Sequence, residues 1–205
     1  MLDELGTKVS DCVSETLEGV TPTQKEIIQY TIVQLLGELI KTAIMFGIAL
    51  YFGVAHLLLI AIFSMAIYRI PAGGAHSKSH IACFLASSIL FFGNVILSSL
   101  IDVPYLDVLY IAIFLFNSVV IYFYAPADTE MKPVVSKKQR KSLRIISFVC
   151  MTLTMIIGRF IIADLVIRNI FIFGTLIQSI TMLPFMYHLF NTKYGFRDGI
   201  VVPQI

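Results

Sequence analysis

Apolar segments of about bilayer-spanning length follow one another almost without interruption, at 27–53, 55–70, 80–101, 104–125, 144–163 and 165–190. The breaks between them are short and hold Gly, Pro, Asp or basic clusters. With 58% of 205 residues apolar, 14% charged and a mean hydropathy of +0.87, the chain has too little polar surface to coat a water-soluble globule. The expectation is an all-α, polytopic membrane bundle of six transmembrane spans forming one integral domain over 1–205. The first division is the delicate one, because 42–68 carries no formal charge and one long span there would leave five. Glu38 and Lys41, three residues apart, share a helical face and neutralise one another, which favours six. The net charge of +2 sums clusters of opposite sign, so no nucleic-acid partner is indicated. Cys12, Cys83 and Cys150 lack the dense, even pattern of a disulfide scaffold.

Residues 1–20 carry Asp3, Glu4, Asp11, Glu15 and Glu18 against Lys8 alone, unlike a cleavable leader. Leu2, Leu5, Val9, Cys12, Val13, Leu17 and Val20 fall on one stripe, predicting an amphipathic helix that Thr21-Pro22 ends. Lys137, Lys138, Arg140 and Lys141, flanked by Lys132 and Arg144, place their loop on the cytoplasmic side. Two spans separate that loop from the break at 69–80, so the break faces the cytoplasm too. With six spans both termini do, including a tail at 191–205.

That break packs two histidines and a thiol into eight residues, His76 to Cys83. Pro71 and the Gly73-Gly74 pair end the preceding helix, and Ser77 or Ser79 can cap the next. Cys83 then lies near a helix start, where the dipole and a neighbouring imidazolium favour the thiolate. On one unbroken helix, residues 76 and 83 would stand about 10 Å apart along the axis, at roughly 1.5 Å per residue. A Cys/His pair therefore requires His76 to fold back from the Gly-rich loop. In that arrangement His76 is the general base, Cys83 the nucleophile of an acyl transfer, and Gly73, Gly74 or helix-start amides the oxyanion donors. Two other readings stay open on spacing alone. His76, His80 and Cys83 could bind zinc from one helical face in a metal-binding or transport protein, or the cysteine could be a packing residue beside a capped loop.

The pattern Arg69-x-x-x-x-Gly74-x-His76, with Cys83 seven residues on, resembles the accessory gene regulator protein B (AgrB) family of bacterial quorum-sensing systems. The block Tyr124-Ala125-Pro126-Ala127-Asp128-Thr129-Glu130-Met131-Lys132-Pro133 resembles a second family segment. The resemblance implies a cysteine endopeptidase of the bacterial cell membrane, with its catalytic loop on the cytoplasmic side. It would process a precursor signal peptide, AgrD in that family, and cyclise it to a thiolactone or lactone. His76 and Cys83 match the catalytic pair. His80 is outside the family pattern, and Met131 stands where members often carry a polar or basic residue. No metal or other cofactor is implied, and a homodimer is.

Arg69, at a span end, has two roles open to it, snorkelling to the interface and positioning substrate. Lys132, Lys137, Lys138, Arg140 and Lys141 serve topology, and could also attract an acidic tail on the precursor. Asp128 and Glu130 are candidates to orient His76. Arg159, Asp164 and Arg168 flank the turn between the last two spans, where a local charge network is expected.

Overall fold

The structure, a computed structural model, describes residues 22–75, 77, 80–101, 106–129, 133–193 and 195. The expected amphipathic helix at 1–20 lies outside them, as do Cys12, His76, Glu130 and Lys132, most of the tail, and the side chain of His80. Two compact units divide at Gly53 and Val54.

In the first unit, α1 runs Pro22–Tyr51 and begins five residues before the expected span. Lys41 Nζ donates to Glu38 Oε1 at 2.6 Å, the neutralising pair read from the spacing. The helix stops in the turn Phe52-Gly53, where Gly53 has φ +72°, a backbone angle that favours glycine. The 42–68 stretch is therefore not a continuous helix.

The second unit holds α2 (Ala55–Ala72), α3 (His80–Leu100), α4 (Leu106–Tyr124), α5 (Lys137–Ile156, continued by a π turn Ile157–Ile161), α6 (Leu165–Thr181) and α7 (Pro184–Leu189). Three helices, Ala55–Ala72, Ile81–Leu100 and Lys137–Ile161, are long and apolar enough to cross a membrane, and Val108–Tyr124 and Leu165–Thr181 are shorter apolar helices. The protein is thus an all-helical membrane protein among its described residues, while a count of six spans goes beyond these lengths. Two expected boundaries are corrected. The last apolar run, 165–190, is not one helix: it breaks after Thr181, and α7 restarts with Pro184 at its first turn. The basic cluster 137–144 is not a loop but the first two turns of α5, capped by Ser136, whose Oγ accepts from the Gln139 N–H at 3.4 Å.

Helix α6 is the axis of the unit, packed against α2, α3, α4 and α5. Its buried residues include Asn169, Gly174, Thr175, Gln178, Ser179 and Thr181. In lipid, outward faces are satisfied by hydrocarbon, so polar and small side chains turn inward, where they join helices. Asn169 Nδ2 donates to the carbonyls of Ser98 (3.2 Å) and Ile101 (2.9 Å), Asn94 Nδ2 to Ile170 O (3.1 Å), and Asn117 Nδ2 to Thr175 Oγ1 (3.0 Å). Gly174 faces Ser64, Met65 and Asn94, each 3.2 Å from where a β-carbon would sit, so its lack of a side chain lets α2 and α3 close on α6. Large apolar side chains such as Phe63, Ile81, Ile89 and Phe123 point outward, as a lipid-facing surface requires.

At the far turn, Asp164 caps α6 by accepting from the Ile167 N–H at 2.9 Å, and Arg168 donates to the Ile162 carbonyl. Arg159 stacks over Phe160, 5.5 Å from the ring centre.

Candidate active site

The α2 helix runs through Pro71 to Ala72, so the proline does not end it; Gly73 does. Gly73 takes φ +75° and returns its N–H to Arg69 O at 2.9 Å. The chain then leaves as an extended strap, held from three directions. From one side, Ala127 pairs with Gly73 as a parallel bridge: Ala127 N–H donates to Ala72 O at 2.7 Å and Gly74 N–H to Ala127 O at 2.8 Å. From a second, the end of α6 receives Ala75 N–H at Thr181 O (2.9 Å), while Gln178 Nε2 donates to Gly73 O at 2.7 Å. From the third, Arg69 Nη1 donates to Gln178 Oε1 (3.1 Å) and Thr181 Oγ1 (3.2 Å), and Nη2 to Ala75 O (3.2 Å).

Arg69 thus holds its own downstream loop, a use of the planar guanidinium that a single ammonium could not copy. The geometry also accounts for both glycines. A β-carbon on Gly73 would run into the Ala127 carbonyl, and one on Gly74 would stand 2.7 Å from Thr181 Oγ1 and 3.2 Å from Arg69 Nη1. Their amides are committed to Arg69 O and Ala127 O, so in this arrangement neither is spare for an oxyanion.

The opposing segment, Ala125 to Asp128, follows α4 through a cis Ala125–Pro126 peptide. Its carbonyls are gathered by side chains from two other helices. The Tyr187 hydroxyl donates to the Ala127 and Asp128 carbonyls, at 2.8 and 3.0 Å. Arg144 Nε reaches Ala125 O at 2.9 Å, and Arg140 Nη2 reaches Pro126 O at 3.3 Å. Asp128 is buried, and its Oδ2 accepts from Arg140 Nη1 (3.0 Å) and the Val134 N–H (2.9 Å). A guanidinium is a poor guest at a helix N-terminus, whose dipole end is positive. The Asp128 carboxylate and these carbonyls offset that for Arg140 and Arg144.

Cys83 lies in the first turn of α3, 8% exposed, and is a thiol, as is the half-buried Cys150. Of the other expected site residues, Arg69, Gly73 and Gly74 come together in the loop that leads towards Cys83, whereas Lys137, Lys138 and Lys141 are exposed on α5. Arg140 leaves that basic group to bind Asp128. His76 and Lys132 lie outside the described residues. Among the described residues no three His, Cys, Asp or Glu side chains form a group that could hold a metal ion.

Gln178, Thr181 and Tyr187 were not legible as site residues. Gln178 carried a usable signal, since an amide inside a membrane-spanning apolar run is costly unless it has a structural or functional partner. Thr181 and Tyr187 carried none, because both residue types are ordinary near helix ends.

Between these walls lies a cleft of about 390 Å³, lined by Arg69, Ile70, Pro71, Gly73 and Gly74 on one side and by Pro126 to Thr129 with Val134, Gln139 and Leu143 on the other.

The family model for accessory gene regulator B matches residues 7–182. A putative AgrB-like protein of Clostridium perfringens SM101 is 33% identical over 149 residues, 70% of this chain and 69% of that protein. An accessory gene regulator protein B of Staphylococcus aureus RF122 is 31% identical over 156 residues, 75% of this chain and 79% of the relative. A putative AgrB-like protein of Clostridium beijerinckii is 27% identical over 193 residues, covering 94% of this chain and 92% of its own length. No solved structure matches the chain. With the matched region running from before α1 to the end of α6, across both walls of the cleft, the chain belongs to the accessory gene regulator B family.

Proposed function

We propose that this protein is a single integral membrane domain acting as a cysteine endopeptidase, cleaving a quorum-sensing precursor peptide on the cytoplasmic side and closing the released piece into a thiolactone or lactone. The observation that carries this reading is the buried Cys83 thiol at the start of α3, immediately downstream of a loop pinned by Arg69, Gln178 and Ala127. Family membership supports it.

In this mechanism His76 takes the Cys83 proton, and the helix start supports the thiolate. The sulfur attacks the scissile carbonyl, the C–N bond breaks, and the amine leaves with the proton held by His76. An acyl-enzyme thioester remains on Cys83. Attack by a thiol within the bound peptide exchanges one thioester for another, closes the ring and returns the proton and free enzyme; a hydroxyl would give a lactone. Holding both ends of the peptide against a pinned loop favours ring closure over hydrolysis. First-turn amides of α3 are the oxyanion donors in this scheme, since those of Gly73 and Gly74 are engaged. Lys132, Lys137, Lys138 and Lys141 draw in an acidic part of the precursor. The working form is a homodimer in the bilayer.

The decisive test incubates the full chain in lipid nanodiscs with the synthetic precursor encoded beside it, and follows protein and peptide by mass. Cys83→Ser and His76→Ala should abolish cleavage, while Cys12→Ala and Cys150→Ala retain it with an acyl adduct on Cys83. Cleavage that survives Cys83→Ser overturns the assignment. Stoichiometric metal, with dependence on His80 equal to that on His76, would point to the metal-binding alternative.

A further inference from the structure

The chain that follows α7 runs along the wall of the cleft opposite Arg69. Asn191, with φ +50°, turns it after the helix, and the Thr192 N–H donates to Tyr187 O at 3.0 Å. Tyr187 itself holds the carbonyls of Ala127 and Asp128, and Gly195 comes next along the same wall, against Thr129 and Pro133. Gly195 is buried, and a β-carbon on it would stand 2.6 Å from the Thr129 carbonyl oxygen and 2.9 Å from Pro133 Cβ, so the close approach needs a glycine. Thr129 and Val134, beside that contact, line the cleft. The chain is therefore anchored at the rim, and the sequence continues from there for ten residues, Phe196 to Ile205.

The cleft asks for apolar surface. Ile70, Pro71, Pro126, Val134 and Leu143 supply most of its side chains, and Ile70 is 83% exposed. Polar groups of the walls are engaged within the protein: Gly73 O by Gln178, Pro126 O by Arg140, Ala127 O by Gly74 and Tyr187. The Arg69 guanidinium is turned to Gln178, Thr181 and Ala75. Beyond Gly195 the sequence carries the matching chemistry. Ile200, Val201, Val202 and Pro203 form an apolar run far shorter than the roughly 20 residues that cross a bilayer. From Gly195 to Ile200 an extended chain reaches up to roughly 17 Å. Tethered at the rim, the run meets the cleft at a local concentration on the order of millimolar.

We propose that the segment after Gly195 folds back into this cleft, seating Ile200, Val201 and Val202 against Ile70, Val134 and Leu143, and that the precursor displaces it on binding. The seat is independent of the chemistry at Cys83; the displacement rests on the peptide-processing reading above.

The test uses the full chain in nanodiscs with Cys12→Ser, Cys83→Ser and Cys150→Ser, so that only introduced thiols can pair. Val201→Cys is combined either with Gln139→Cys, on the cleft side of α5, or with Lys141→Cys, an exposed position that does not line the cleft. The Gln139 pair should oxidise to an internal disulfide about tenfold faster, as a seated segment outpaces one that merely collides. Ile200→Asp with Val202→Asp should erase the difference. Equal rates in the two pairs overturn the seat. So does a covalent dimer in place of the internal disulfide, which gives the cleft to another copy. Adding the synthetic precursor should slow the Gln139 pair, and an unchanged rate with precursor bound overturns the displacement. With the native cysteines in place, Val201→Asp should lower KM about tenfold with kcat nearly unchanged, the gain expected when a segment that fills its site about nine-tenths of the time is released. An unchanged KM overturns the displacement as well. If the native chain neither binds nor cleaves the precursor, the peptidase reading fails instead, and the disulfide rates still decide the seat.

Discussion

Arg69 and Gln178, 109 residues apart in sequence, meet at 3.1 Å, and the same Gln178 amide donates through its nitrogen to the carbonyl of Gly73. One side chain thereby fixes both the arginine in the last turn of α2 and the loop that leaves the helix. The loop towards Cys83 is set by α6, an element distant in sequence, as much as by its own glycines.

Replacing that amide should loosen the loop without emptying the core. Gln178→Leu keeps the bulk but removes the acceptor for Arg69 and the donor to Gly73. A destabilisation of about 2 kcal/mol is expected, from polar groups left short of partners in a buried place. Precursor processing should fall more than stability alone accounts for. Thermal unfolding in detergent and product mass on the same preparation check this; wild-type processing in the variant would remove Gln178 from the site.

Charge alone should not replace Arg69. An ammonium at the end of Arg69→Lys cannot span Gln178 and Thr181 on one side and the Ala75 carbonyl on the other. Losing one charge-assisted contact, at about 1.5 kcal/mol, predicts a rate roughly tenfold lower at subsaturating precursor. Full activity in the lysine variant would mean that Arg69 acts only as a charge at the interface.

The two glycine environments predict opposite signs. Gly73→Ala places a methyl against the Ala127 carbonyl at φ +75° and should break the bridge between the two wall segments. Gly93, within α3, has nothing within 4 Å of its missing β-carbon, so Gly93→Ala should stabilise by about 0.5–1 kcal/mol. Unfolding midpoints of the pair measure both effects, and a neutral Gly73→Ala would contradict the bridge geometry.

The basic stretch should separate into two functions. Arg140→Gln leaves Asp128 buried without its counter-charge and should cost about 3 kcal/mol. Lys137→Glu, Lys138→Glu and Lys141→Glu act at exposed positions, where each should stay within about 0.5 kcal/mol of wild type. Their combined reversal should raise KM for an acidic precursor, most strongly at low salt. Unchanged KM in a correctly inserted triple variant would leave those lysines a topological role alone.

Much of the fold was legible because burial in lipid is a local, one-dimensional demand. A run of apolar residues announces a membrane helix wherever it lies, and Glu38–Lys41 was readable because helical spacing alone brings the two together. The end of α6 was not, since Thr181 to Pro184 is as apolar in context as the residues around it and only packing shows where the helix stops. The start of α5 was misread for the reverse reason. Its lysines and arginines look like a solvated loop, yet Arg140 and Arg144 have partners supplied by 125–134, and the helix begins with them.

By itself the sequence determined the chemistry available: an arginine, two glycines and a cysteine at a span edge, in the order a family motif shares. Tertiary structure decided what that chemistry is attached to. Gln178, Thr181, Ala127 and Tyr187 enter through contacts across 54 to 112 positions of chain, whose geometry depends on how whole helices pack. Spacing along a chain specifies neighbours on one helix, but no local rule specifies which carbonyl a distant amide will meet. The division of labour between Arg140 and its neighbouring lysines belongs to the same class, because only burial against Asp128 separates one cation from the next.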